Sequence, residues 1–242
     1  MKLRGMALTF TISFLLIWAD ESWAMKDYNL SATGGTGVII YPSLEVSKQF
    51  EIGIGGQVVA LPDMAISPKF SLSIQGFNLG IAFDYATSRN GWPKPLMFST
   101  KYVIQKGLGI YGDLHWNIDP NNIAFSFMLL GGEGLFGMSV GGGWDLTFGF
   151  GVAFTPTYDW NLNVFFAIQK AIYSDVLFLK AELANYSYRV IYEPFFANDR
   201  RGICNLGLNI VPANWITIGI NGLDLLDNNR SLSLNLNFRF NV

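Results

Sequence analysis

The sequence predicts an all-β protein, a transmembrane antiparallel β-barrel of about 12 strands, with 10 to 14 allowed by length. Three observations carry this expectation: strict period-two alternation, an opposite face of small and polar residues, and a shortage of charge. Of 242 residues, 14% are charged, 15% aromatic and 26 are glycine, whereas an ordinary soluble domain carries roughly 25% charged residues. Half the chain is apolar, which excludes a disordered chain. The net charge of −2 excludes nucleic acid as a partner, because phosphate binding needs a basic surface.

Taken in order, the chain opens on a secretory signal peptide, expected over 1–24. Lys2 and Arg4 form its basic region, Met6–Ala19 its apolar region, and Ser22-Trp23-Ala24 a small-x-small cleavage site. That apolar stretch is too short for an ordinary membrane-spanning helix. No cysteine lies beside the cleavage site, so no lipid anchor is expected. The remainder, 25–242, reads as a single barrel domain.

Strand patterns then follow at 50–58, 70–76 and 79–86, the last two joined by a turn at Gly76-Phe77-Asn78. Segments 97–105 and 108–116 flank Lys106-Gly107. Ile123–Gly143 would pass a hydropathy window for a helix, but its seven glycines make it a poor one. It reads instead as two strands, 123–130 and 136–142, around Gly131–Gly134. In Asp145–Phe154, Leu146, Phe148, Phe150, Val152 and Phe154 alternate with Asp145, Thr147, Gly149, Gly151 and Ala153. Further segments lie at 161–168, 176–184 and 188–193. A hairpin over 203–210 and 215–221 turns at Val211-Pro212-Ala213-Asn214. The last strand, Ser231–Phe240, sets Leu232, Leu234, Leu236, Phe238 and Phe240 against Ser231, Ser233, Asn235, Asn237 and Arg239.

The two faces decide the class. A soluble sandwich carries Lys and Glu on its outward face, but here the face opposite the bulky residues is mostly Gly, Ser, Thr, Ala and Asn. An apolar skin around a polar interior is the pattern of a membrane barrel. Trp92, Trp116, Trp144, Trp160 and Trp215 fall at or near strand ends, as do Tyr41, Tyr158 and Tyr192, where interfacial aromatic girdles sit. Tight turns alternating with longer connections at 87–96, 194–202 and 222–230 predict a short-turn rim and a long-loop rim.

Parity places Glu51, Gln57, Gln75, Asp84, Lys101, Gln169, Lys180, Glu182 and Arg239 on the lumen side. Their signs are balanced, so no strong ion selectivity is expected. The lumen also receives Asp113 and His115, two apart on one face and close enough for an acid–base pair. Catalysis there would need a nucleophile such as Ser126 or Ser139 beside them. No catalytic residue, metal or cofactor is expected; the single histidine excludes a His-pair zinc site. Thr33–Gly37 lacks the preceding strand and the Lys-Ser/Thr of a phosphate loop. Cys204 shares the apolar face of Leu206 and Leu208 and reads as a small hydrophobe.

Thr33–Gly56 (TGGTGVIIYPSLEVSKQFEIGIGG) carries a Gly-Gly-x-Gly segment, a Pro-Ser turn and a strand of the E-x-x-I-G kind. In these features, and in the closing hairpins over Gly202–Phe240, it resembles the YjbH-type family of outer-membrane barrels. That family is commonly longer, so the resemblance implies a single-barrel relative, associated with exopolysaccharide production and secretion. It implies no catalytic residues. Bacterial barrels usually end on an aromatic residue read by the assembly machinery, whereas here Asn241-Val242 follow Phe240.

The expected function is a non-enzymatic outer-membrane barrel, structural or forming a passage, with a link to envelope or exopolysaccharide export. Its expected partners are outer-membrane lipid, the barrel-assembly machinery, and polysaccharide or small solutes. Two alternatives stay open: a secreted soluble β-protein that binds glycan or protein, and a small barrel enzyme using Asp113 and His115.

Overall fold

The computed structural model describes residues 30–31, 37, 42–44, 49–60, 64–86, 95–117, 122–133, 135, 143–155, 159–173, 176–185, 202–226 and 230–241. The signal-peptide reading of 1–24 lies outside them, as do the strands expected at 136–142 and 188–193, and Trp92, Tyr41, Tyr158 and Tyr192.

The strands in chain order are β1 (Glu51–Ala60), β2 (Ala65–Ile74), β3 (Phe77–Phe83), β4 (Tyr85–Ala86), β5 (Pro95–Gln105), β6 (Leu108–Asn117) and β7 (Asn122–Gly132). They continue as β8 (Trp144–Thr155), β9 (Asp159–Tyr173), β10 (Leu177–Ala184), β11 (Ile203–Ala213), β12 (Ile216–Leu223) and β13 (Ser231–Asn241). Each pairs antiparallel with its neighbours, and β1 pairs with both β2 and β13, from Glu51↔Asn241 to Ala60↔Leu232. The sheet therefore closes. β3 and β4 are one stave interrupted at Asp84, giving a closed barrel of twelve strands. Pro68 of β2 stands beside the interruption, and the β2–β3 ladder stops at Lys69↔Ala82 and resumes at Ile66↔Tyr85. A proline has no N–H to give to a ladder.

The helix rival fails over 122–132, which is strand β7; among the described residues no helix is long and apolar enough to cross a membrane. Closure is what makes strands an alternative, since it leaves no unpaired backbone edge.

Short turns gather at one rim. Gln75 and Gly76 both have positive φ, 45° and 86°, which fits a two-residue primed hairpin turn. Gly107, φ 79°, turns β5 into β6, and Asn214-Trp215 turns β11 into β12. The ladder irregularities at Val103/Gln105, Leu177/Phe178 and Ile210/Ala213 all lie near this rim, where bulges bend strands into closure. The connections 87–94, 185–202 and 224–230 leave from the opposite rim. The 133–143 connection is the long one at the short-turn rim.

Alternation becomes topology in the wall. Leu234 is 52% exposed on the outside while Asn235, the next residue, is 1% exposed on the inside. Ile54, Phe70, Ile81, Phe127, Phe150, Leu162, Leu208 and Ile220 extend the outer apolar skin around the barrel. Aromatics collect at its two edges. Near the long-loop rim Phe125 stacks on Phe154 and Trp160 meets both rings edge-on, with centroids 5.3–5.7 Å apart, beside exposed Trp116. At the other rim Trp215 stacks on Phe238 at 6.2 Å, and the Lys170 ammonium lies 5.3 Å from the Trp144 ring. An amphipathic ring and a snorkelling lysine suit a membrane–water boundary.

Not all of the bulk faces outward. Phe165 is 1% exposed on the inner face, opposite Gly149. A Cβ on Gly149 would overlap the Phe165 ring, so the glycine supplies the room that the ring occupies.

Candidate functional site: the barrel lumen

The inner face is polar and closely filled. Gln57, Ser71, Ser73, Asn78, Ser99, Thr147, Asn163, Gln169, Asn205, Asn209, Thr217 and Asn221 are all buried. These side chains face inward by alternation, because each strand's other set forms the skin. Buried among them are apolar residues, including Met97, Tyr111, Met128, Leu130 and Phe165.

Part of the filling is the chain's own N-terminal segment. Leu30, Ser31 and Ser43 are buried, and Gly37 bridges Pro42. Lys101 Nζ donates to the Ser43 carbonyl at 2.7 Å. Lys69 Nζ donates to Gln57 Oε1 at 2.8 Å and to the Leu30 carbonyl at 3.4 Å. Leu44 packs against the inner apolar cluster, and Cβ atoms on Gly109 or Gly132 would press on its methyl groups. Two bare stretches of wall thus receive one leucine. At Leu30, Ser43 and Leu44 the segment meets the barrel's inner wall, through two backbone carbonyls on buried ammonium groups and one apolar contact.

Five of the charged or titratable residues expected in the lumen stand there: Lys101, Asp113, His115, Lys180 and Glu182. Lys180 is 0% and Glu182 1% exposed on β10. Glu182 Oε2 accepts from Asn205 Nδ2 at 3.0 Å, and Asn205 Oδ1 accepts from the Asp224 amide at 2.9 Å. This chain ties β10 to the start of the β12–β13 connection.

His115 Nε2 and Asp113 Oδ1 approach to 3.1 Å, without the alignment of a hydrogen bond, for neither atom makes one. Asp113 is opposite Ser99 on one side and Ser126 on the other, while His115 is opposite Met97 and Ala124. Ser126 Oγ makes no hydrogen bond, so no hydroxyl–imidazole contact assembles the nucleophile and base of an acyl-transfer site. Ser139 lies outside the described residues.

The other expected lumen positions are modified by their distance from mid-barrel. Glu51 is half-buried at the short-turn rim, opposite Ser73 and Asn241. Asp84 sits at the break between β3 and β4 and accepts from Ser67 Oγ. Arg239 does not reach into the lumen. Its Nε and Nη2 donate to the Asn214 carbonyl at 3.2 and 2.9 Å, clamping the β11–β12 turn to β13. A side chain one turn from the rim finds a carbonyl more readily than the barrel axis. Gln75 is an exposed turn residue, because β2 ends one residue before it.

Parity also missed a cation. Lys69 lies inside β2, which begins at Ala65 rather than at 70. Pro68 hides the alternation there, although Ala65, Ser67, Lys69, Ser71 and Ser73 keep it without a break.

No known family model matches the chain, and no curated protein matches it. Its fold is similar to two solved structures at low identity. One is the KdgM porin in complex with disordered oligogalacturonate, at TM-score 0.56 and 11% identity, covering 78% of this chain and 99% of that one. The other is the Acinetobacter baumannii outer membrane protein Omp33, at TM-score 0.52 and 11% identity, covering 80% and 99%. At such identity the likeness concerns the fold alone: this chain builds a closed twelve-stranded antiparallel β-barrel, similar in fold to those two structures.

Proposed function

We propose that the protein is a non-enzymatic outer-membrane barrel whose lumen is a passage for small polar solutes, held shut here by the N-terminal segment. The observation that carries this reading is the two-faced closed wall, apolar outside and polar inside. Lipid is the solvent that such an outer face needs, and a wholly paired backbone is what crossing it demands. A water-exposed β-protein would leave this entire skin uncovered, which disfavours the secreted soluble alternative. The enzyme alternative lacks a bond between Ser126 and His115. Lipid and the barrel-assembly machinery are the partners this location requires. The similarity to a porin solved with oligogalacturonate and the YjbH-type features of Thr33–Gly56 both support a saccharide-related cargo, and hence the exopolysaccharide link.

Membrane fractionation with gel mobility of unheated and boiled samples tests the reading. The chain is expected in the outer-membrane fraction, with a compact band that shifts on boiling. A soluble monomer with one mobility would overturn it.

A further inference from the structure

The wall formed by β11, β12 and β13 differs chemically from the wall across the ring. β5 and β6 carry Lys101, Asp113 and His115, whereas inward positions from Ile203 to Asn237 on the three closing strands carry no charge. Carboxamides occupy that wall in register. Asn209 is opposite Gly219, Gly219 opposite Asn235, and Asn235 opposite Gln57. The Asn209 amide reaches over Gly219, where a Cβ would meet its Oδ1. One level along, Asn221 Nδ2 donates to Ser233 Oγ at 3.3 Å.

Two of these amides have capacity to spare. Asn235 is 1% exposed, yet neither its Oδ1 nor its Nδ2 makes a hydrogen bond, and Asn221 Oδ1 makes none. Buried polar atoms are nearly always paired, so such a side chain points to something that pairs with it. An amide offers both donors and acceptors. A hydroxyl group answers both, since it also donates and accepts. A carboxylate only accepts, these three strands offer it no cation to offset its lost hydration, and the Lys69 ammonium beside Gln57 is already engaged by Gln57 Oε1 and the Leu30 carbonyl.

We propose that Asn235, with Asn221 and Gln57 beside it, forms a cradle for an uncharged polyhydroxyl solute, a neutral oligosaccharide segment. This rests on the passage reading and names its cargo class. Glycine at 219 leaves room for the Asn209 amide to lie over the β12 backbone beside Asn235.

Calorimetric titration of the folded full chain in detergent tests the cradle, with maltotriose and trigalacturonate as probes. The same titration on a Lys101→Ala chain prevents the N-terminal segment from masking the wall. Maltotriose is expected to bind saturably to at least one of these chains, and trigalacturonate at least tenfold more weakly. Asn235→Leu is expected to lose tenfold or more in affinity while keeping the heat-shifted mobility of a folded barrel. Should that variant not fold, Asn221→Ser serves, with a smaller loss in the same direction. No maltotriose binding by either chain would mean that water alone fills the cradle, and would overturn the proposal. Equal or tighter uronate binding, or unchanged affinity in a folded Asn235→Leu or Asn221→Ser chain, would do so too. Bilayer conductance separates the two readings: conduction without sugar binding overturns the cradle alone, and binding without conduction overturns the passage alone.

Discussion

A Lys69→Ala, Lys101→Ala double variant is expected to conduct at least about tenfold more in planar bilayers than the parent chain, in time-averaged current at equal protein number. The parent holds its N-terminal segment inside through the Ser43 carbonyl on Lys101 and the Leu30 carbonyl on Lys69. Hydrogen bonds to charged groups contribute about 1.5–3 kcal/mol each. The Lys101 contact, at 2.7 Å, is the stronger; the Lys69 contact, at 3.4 Å, is the weaker. Losing about 1.4 kcal/mol of closed-state preference raises the open population about tenfold until it saturates. Deleting 30–48 should give the highest conductance of the set. Equal currents from the parent, the double variant and the deletion, all with folded-barrel mobility, would show that the segment does not close the lumen.

Gly151→Val is expected to cost about 3 kcal/mol of barrel stability, read as a fall in the temperature at which the compact unheated band is lost. At Gly151 the β8 backbone passes so close to β7 that a Cβ would overlap the Phe127 carbonyl oxygen and Met128 Cα. A neighbouring backbone cannot rotate aside as a side chain can. Gly56→Val is the control, since its nearest neighbour is the Ser67 carbonyl oxygen at 3.9 Å. The Gly56 variant should lose little. Equal transition temperatures for the two variants would contradict the close approach of β7 and β8.

The difference between these two glycines marks where sequence reading stops. Alternation told which face each residue occupies, because a closed wall forces successive side chains to opposite solvents. Ser231–Phe240 could be read residue by residue, and the inward set Lys101, Asp113, His115, Lys180 and Glu182 followed from the same parity. How near two strands lie at one register position has no periodic signature, so Gly151 looked like any other small inward residue. Phe165 is inward for a related reason: its space comes from Gly149 on a different strand.

The lumen filling was the least legible part. Residues 30–44 show no alternation, and Lys101 meets Ser43 across 58 positions of chain. Nothing local marks such a partner. Lys69 was lost at a strand boundary, where Pro68 disguised a pattern that the neighbouring residues keep. Arg239 was given the correct strand, but parity fixes only the face, and the nearby Asn214 carbonyl decides where a rim side chain goes.

The central claim is that the outer face of this wall meets lipid while its inner face does not. Adjacent residues on β13 provide the measurement. In a Cys204→Ala background, bimane is attached at Ser233→Cys or Leu234→Cys, and each chain is reconstituted in vesicles with or without brominated lipid. Leu234 is 52% exposed on the outer face and Ser233 is 1% exposed on the inner. Bromine should therefore quench the probe at 234 strongly and the probe at 233 little. Equal quenching at both positions, or stronger quenching at 233, would contradict the barrel's orientation toward lipid.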